Sequence, residues 1–124
     1  MPNLTNYHQG LNYLLDLNGE TFVLGNGYWS LIEARTVPPT ANTPHGIKYS
    51  LTLHDRNNRR ILGYDNANGI RYGKNRFNAT RRVWDHRHRR NRVEPYVFRN
   101  ANQLLADFWQ DICTLIEENP GYSQ

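Results

Sequence analysis

Along residues 46–54 apolar and polar side chains alternate without a break. Ile47, Tyr49, Leu51 and Leu53 fall on one side of an extended chain, and Lys48, Ser50, Thr52 and His54 on the other. This is the pattern of a half-buried β-strand. Residues 28–37 (YWSLIEARTV) alternate well enough for a second, long strand. Arg60 to Asp65 returns as a third strand after the turn composition Asp55-Arg56-Asn57-Asn58. Tyr13 to Leu17 is an apolar run that meets Asn18-Gly19, the strongest short hairpin signal, and Glu20 to Leu24 follows with Phe22 and Leu24 alternating. A first hairpin is therefore expected over 13–24. Gly25-Asn26-Gly27 reads as the next turn, and Val83–Arg87 and Glu94–Phe98 as short strands. Pro38-Pro39 through Pro44 is a loop, because proline cannot join the centre of a sheet.

After Asn100 the period changes. Leu104, Leu105, Phe108, Trp109, Ile112, Leu115 and Ile116 recur at helical spacing. Asn100 can cap this helix, Gln103 stands three residues on as in a capping box, and Asn119-Pro120-Gly121 stops it. Strands followed by a helix give an α+β class: an antiparallel meander sheet of five to six strands with a C-terminal amphipathic helix packed across one face. Cys113 lies between Ile112 and Leu115, so a buried, unreactive thiol is expected there.

The chain has 124 residues, which is a single domain (1–124) with an expected core over 13–118. Segment 66–82 is rich in Gly, Asn and Arg and reads as a mobile loop. One cysteine excludes an internal disulfide and a cysteine-cage zinc site. No apolar run approaches the ~20 residues of a bilayer span. The opening MPNLTNYHQG lacks the basic and apolar parts of a signal peptide, so no membrane association and a cytoplasmic location are expected.

Charge changes the picture more than composition does. The net charge is +4, but residues 71–92 hold nine bases and one acid, while the remainder holds six bases and ten acids. Thirteen of the fifteen bases are arginine, which forms bidentate bonds to phosphate and stacks on bases. Arg71, Lys74, Arg76, Arg81, Arg82, Arg89, Arg90 and Arg92, beside Tyr72, Phe77 and Trp84, read as a nucleic-acid-binding footprint. A solvated loop, or a docking surface for an acidic partner, accounts for the same charge. So does neutralisation within the chain, since the last 24 residues carry Asp107, Asp111, Glu117 and Glu118 and no base.

The densest chemistry is Trp84-Asp85-His86-Arg87-His88-Arg89-Arg90. In an extended chain His86 and His88 project to one side, and Asp85, Arg87 and Arg89 to the other. Two imidazoles amid arginines suit RNA cleavage: one removes the 2′-hydroxyl proton, the other protonates the leaving oxygen. Arg87, Arg60 or Arg82 would stabilise the transition-state charge. Nearby cations would lower the histidine pKa values, which Asp85 would offset. The pair also reads as two ligands of a divalent metal, with Asp65, His54 or His45 as the third. Adjacent positive charge opposes that, so neither metal nor cofactor is expected. A basic strand that holds phosphate without reacting remains the plain alternative.

Gly63-Tyr64-Asp65-Asn66 brings a phenol, a carboxylate and an amide to a strand end, where Tyr64 and Asp65 could orient a substrate; ordinary turn chemistry accounts for the same residues. His45, in Pro44-His45-Gly46, reads as a structural turn residue, and Tyr49 as core.

Several segments together resemble the TumE family of bacterial toxin–antitoxin toxins: LLDLNG at 14–19, NGYWS at 26–30, PHGIKYSLTLHDRNNRRILGYDNA at 44–67, WDHRHRR at 84–90 and QLLADFWQD at 103–111. The resemblance implies a growth-inhibiting toxin neutralised by a small helix-turn-helix antitoxin, with RNA as its target. It supplies no catalytic residues, so the roles of His86 and His88 rest on the residues alone. The expectation is a metal-independent endoribonuclease. The alternative is a non-catalytic module that binds nucleic acid or a partner through residues 71–92. Exposed sheet edges would also allow a homodimer.

Overall fold

A computed structural model describes residues 9–66, 70–72, 81–83, 85–89 and 91–118. A short helix α1 (Leu11–Asp16) precedes β1 (Glu20–Gly25), β2 (Tyr28–Thr36), β3 (Ile47–His54) and β4 (Arg60–Asp65). Then come β5 (Ile70–Tyr72), β6 (Arg81–Val83), β7 (His86–Arg89), β8 (Arg92–Pro95) and the long helix α2 (Ala101–Glu118). Six strands form one antiparallel sheet in the order β1-β2-β3-β4-β7-β8, and β5 and β6 form a separate two-stranded ribbon. The protein is thus the expected α+β meander, with the ribbon inserted between β4 and β7. Strand Ile70–Tyr72 lies inside the segment read as loop, and it pairs with Arg81–Val83.

One face of the sheet is the core. Ile47, Tyr49, Leu51 and Leu53 alternate inward as their period requires, with Ile32, Leu62 and Tyr64 beside them. Helix α2 covers them with Leu104, Leu105, Phe108, Ile112 and Leu115. Each such buried side chain contributes about 1.5–3 kcal/mol relative to exposure. The Asn100 carboxamide oxygen accepts the Gln103 N–H at 2.7 Å, the expected cap. The Gln103 side chain turns to Asp107 instead of back to Asn100, so only half of a capping box forms.

Three expectations are corrected. Residues 11–16 are helix, not the first arm of a hairpin. The run Leu11–Leu17 contains no β-branched residue, and leucine is a good helix former. Asn18-Gly19 ties the turn after the helix to β2: Gly19 takes φ +83°, its N–H donates to the Ile32 carbonyl, and Asn18 Oδ1 accepts the Ala34 N–H. Second, Cys113 is exposed, because it lies off the 104/108/112/115 stripe. Third, the last strands are His86–Arg89 and Arg92–Pro95, shifted by a few residues from the expected bounds.

Candidate functional site

Register decides which side chains share a face. In the β4–β7 pair, Asp65 stands opposite His86 and Gly63 opposite His88, while Tyr64 stands opposite Arg87 and Leu62 opposite Arg89. Strand alternation then sends Asp65, His86 and His88 to the face away from α2, and Tyr64, Arg87 and Arg89 toward it.

On the open face one carboxylate meets two imidazoles. His86 Nε2 lies 2.7 Å from Asp65 Oδ1, and His88 Nε2 lies 3.4 Å from Asp65 Oδ2. The two rings meet edge to face at 4.7 Å. The side chains are 3% (His86), 14% (Asp65) and 17% (His88) exposed, so His86 is fully buried while His88 reaches solvent. Partial burial and the nearby Arg60 cation hold the His88 imidazole below its ordinary 6.5; His86 adds to the lowering and Asp65 opposes it.

Arg60 reaches this face through an irregularity. By strict alternation it would side with Leu62 and Tyr64 and point at the core. A register shift at Leu53/His54 pairs His54 with Arg60 and turns that side chain over. Its chain then lies across Gly63, where a Cβ would stand 3.4 Å from Arg60 Cδ. Any larger side chain at 63 would press on this packing. His54, also below its ordinary 6.5 through burial and Arg60, stacks on Trp29 with centroids 4.1 Å apart and planes 9° from parallel. His54 Nε2 meets Thr52 Oγ1 at 3.0 Å, and its buried Nδ1 has no hydrogen-bond partner among the described residues. The Trp29–His54 stack escapes notice in the sequence because only pairing brings the two together. Farther along the same face a shallow cleft is lined by Glu33, Arg35, Lys48 and Ser50, and Ser50 stands opposite Asp65.

The helix-facing side of β7 is an ion-pair network. Arg87 Nη1 donates to Asp111 Oδ2 at 3.0 Å and Nη2 to Glu94 at 2.9 Å. Arg89 Nη2 donates to Asp111 Oδ1 at 3.0 Å. The Tyr64 hydroxyl donates to Asp111 as well, and burial followed by that bond pushes its pKa up. The phosphate-stabilising role expected of Arg87 is therefore not supported by its placement. It and Arg89 neutralise an acid of the C-terminal helix.

A third cluster closes the start of β7. His45 Nδ1 accepts the Ile47 N–H at 3.1 Å, so Nε2 carries the proton and faces Asp85 Oδ2 at 2.9 Å. The Tyr49 hydroxyl donates to the same oxygen at 2.7 Å. Both residues thus do structural work, and Asp85 does not reach the His86–His88 pair. Asn66 accepts the Tyr49 N–H and donates to the Ile47 carbonyl. The segment Gly63–Asn66 therefore does not converge on one cleft: Tyr64, Asp65 and Asn66 take three separate partners.

Of the expected nucleic-acid contacts, Arg92 is exposed on β8. Arg71, Arg81 and Arg82 lie on the β5–β6 ribbon, with Arg71 opposite Arg82 in register. Lys74, Arg76 and Arg90, with Phe77 and Trp84, fall outside the described residues. No described helix is long and apolar enough to cross a membrane.

A family described as "Toxin TumE" matches residues 16–116, most of the chain and all of the sheet and the site. No curated protein and no solved structure matches.

Proposed function

The chain belongs to the TumE toxin family, the toxin side of a toxin–antitoxin module, and on that premise we propose that it is a metal-independent endoribonuclease acting from the open face of its sheet. The observation that carries this reading is a single carboxylate, Asp65, facing two imidazoles beside the Arg60 guanidinium.

Burial gives the two histidines different parts. His88, partly exposed and held below its ordinary pKa, is neutral at pH 7 and serves as the general base. With its Nε2 proton toward Asp65, Nδ1 keeps the lone pair that accepts the 2′-hydroxyl proton. The 2′-oxygen attacks phosphorus, the bond to the 5′-oxygen breaks, and that oxygen takes a proton from solvent. A 2′,3′-cyclic phosphate and a 5′-hydroxyl result. His86 is too deep to meet substrate, so it acts as a positioning residue that fixes the other oxygen of Asp65. Arg60 neutralises charge growing on the phosphoryl oxygens. Arg35 and Lys48 extend a basic path for the strand along the same face. The partner implied by the family is an antitoxin, a small helix-turn-helix protein in this reading, and the cytoplasm is where toxin and RNA meet.

The test is purified protein on total RNA, with and without EDTA, beside His86→Ala/His88→Ala. EDTA-resistant cleavage lost in the double variant is expected. Cleavage that survives the double variant overturns the assignment. A salt-dependent gel shift without product would leave a binding module in its place.

A further inference from the structure

Asp65, His86 and His88 each offer a ligand atom, and these atoms lie within 4.8 Å of one another. Two imidazole nitrogens and one carboxylate oxygen are the donor set of zinc and its transition-metal neighbours, not of magnesium or calcium. The two imidazoles already gather on one carboxylate, with one Nε2 at each oxygen. Closing them around an ion with bonds of about 2.0–2.1 Å needs only small side-chain movement. The backbone that carries them is a paired antiparallel ladder, which fixes their spacing before any ion arrives.

The objection to a cation here is the arginine-rich sequence around the pair. The fold takes the two arginines nearest in sequence out of it. Arg87 and Arg89 point to the opposite face and are paired with Asp111 and Glu94. Arg60, which bears on His88, lies over Gly63 with an exposed side chain. His45 and Asp85 cannot complete the site, being engaged with each other.

We infer that Asp65, His86 and His88 form a binding site for a zinc-class divalent cation, and that its occupancy silences the toxin. The silencing follows from the tautomer. An ion on His88 Nε2 takes that lone pair and places the ring proton on Nδ1, so no lone pair remains to accept the 2′-hydroxyl proton. The imidazole stays neutral and the proton only changes nitrogen. The binding half stands independently; the silencing half rests on the ribonuclease reading above.

The experiment titrates the full chain with ZnCl2 by calorimetry and with CoCl2 by visible absorption, in the absence of RNA. One equivalent is expected to bind, with the intense visible bands of low-coordinate cobalt. Asp65→Asn and His88→Gln should each weaken binding by at least about 100-fold, and His54→Gln should leave it unchanged. Since His86→Ala opens a cavity, circular dichroism and the two milder variants keep the result interpretable. No saturable binding by the unaltered chain, or binding indifferent to Asp65→Asn and His88→Gln, overturns the site. Cleavage of RNA should fall at least about tenfold with one equivalent of zinc and return with EDTA. Stimulation by zinc would overturn the silencing. Full cobalt binding by a chain that never cleaves RNA would uphold the site while removing the ribonuclease reading.

Discussion

His86 and Arg87 are neighbours in the chain and occupy opposite worlds. His86 faces Asp65 on the open side of β7, in a cluster of two imidazoles, one carboxylate and an exposed arginine. Arg87 faces α2, in a cluster of two arginines, two carboxylates and a phenol. Both clusters are polar and both are partly buried. They differ in what each carboxylate holds. On the helix side Asp111 takes three donors and Arg87 is divided between Asp111 and Glu94. On the open side one carboxylate is divided between two weak bases, and Arg60 stands beside them. A network that ties the sheet to its helix stabilises a fold; a network with a neutral base at its edge can act on something else. Charge density along the sequence does not separate the two, and alternation across the strand does.

Four substitutions test this division, from the largest expected effect to the smallest. Replacing His88 by Ala should cut RNA cleavage about 1000-fold, near 4 kcal/mol of barrier, while moving the urea midpoint little. Equal losses of cleavage and stability would mean that the open face is structural too.

Replacing Asp111 by Ala leaves Arg87, Arg89 and the Tyr64 hydroxyl without their anion. Breaking a buried pair costs about 3–5 kcal/mol, but the arginines are 25% and 37% exposed, so a loss of about 2–3 kcal/mol in urea unfolding is expected. Per-molecule cleavage of the remaining folded fraction should change far less. The opposite result would place Asp111 in the chemistry.

Arg60→Gln removes a cation that lowers the His88 pKa. Cleavage by the unaltered chain should rise with pH and level off with a midpoint below 6.5. In the variant that midpoint should move up toward 6.5, because removing positive charge favours the protonated ring. The plateau rate should fall about tenfold. A midpoint that stays put would exclude Arg60 from the site.

Cys113→Ser is expected to change stability by less than about 0.5 kcal/mol, since the thiol is exposed and lies off the packed stripe. A larger loss would contradict the assigned helix face.

The turn at Asp55 offers a further handle on stability alone. Burial would raise its carboxyl, but the N–H groups of Arg59 and Asn57 and the Arg59 guanidinium hold it below the usual range. A group depressed in the folded state stabilises above its unfolded value near 3.8 and loses that contribution as pH falls through the folded value. Asp55→Asn should therefore flatten the acid limb of the stability curve without altering cleavage at neutral pH.

Much of the molecule follows from the chain alone. Alternation at 46–54 and the helical stripe after Asn100 set the inner face of the sheet and its cover, because burial of one face leaves little freedom in where such periods can pack. The family too was legible in joint motifs from 14 to 111. The His-x-His spacing placed both imidazoles on one side before any fold was known. The first helix was not legible, because a leucine run followed by Asn-Gly satisfies a hairpin and a helix end equally. Only tertiary structure decided the rest. Pairing of β4 with β7 chose Asp65 as the carboxylate shared by His86 and His88. A one-residue shift at Leu53/His54 brought Arg60 to that face against its parity. Contact across 22 and 24 residues of sequence assigned Arg89 and Arg87 to Asp111. The physical reason is the same in each case: periodicity is local and fixes which way a side chain points, whereas register is a property of two segments and fixes what it meets.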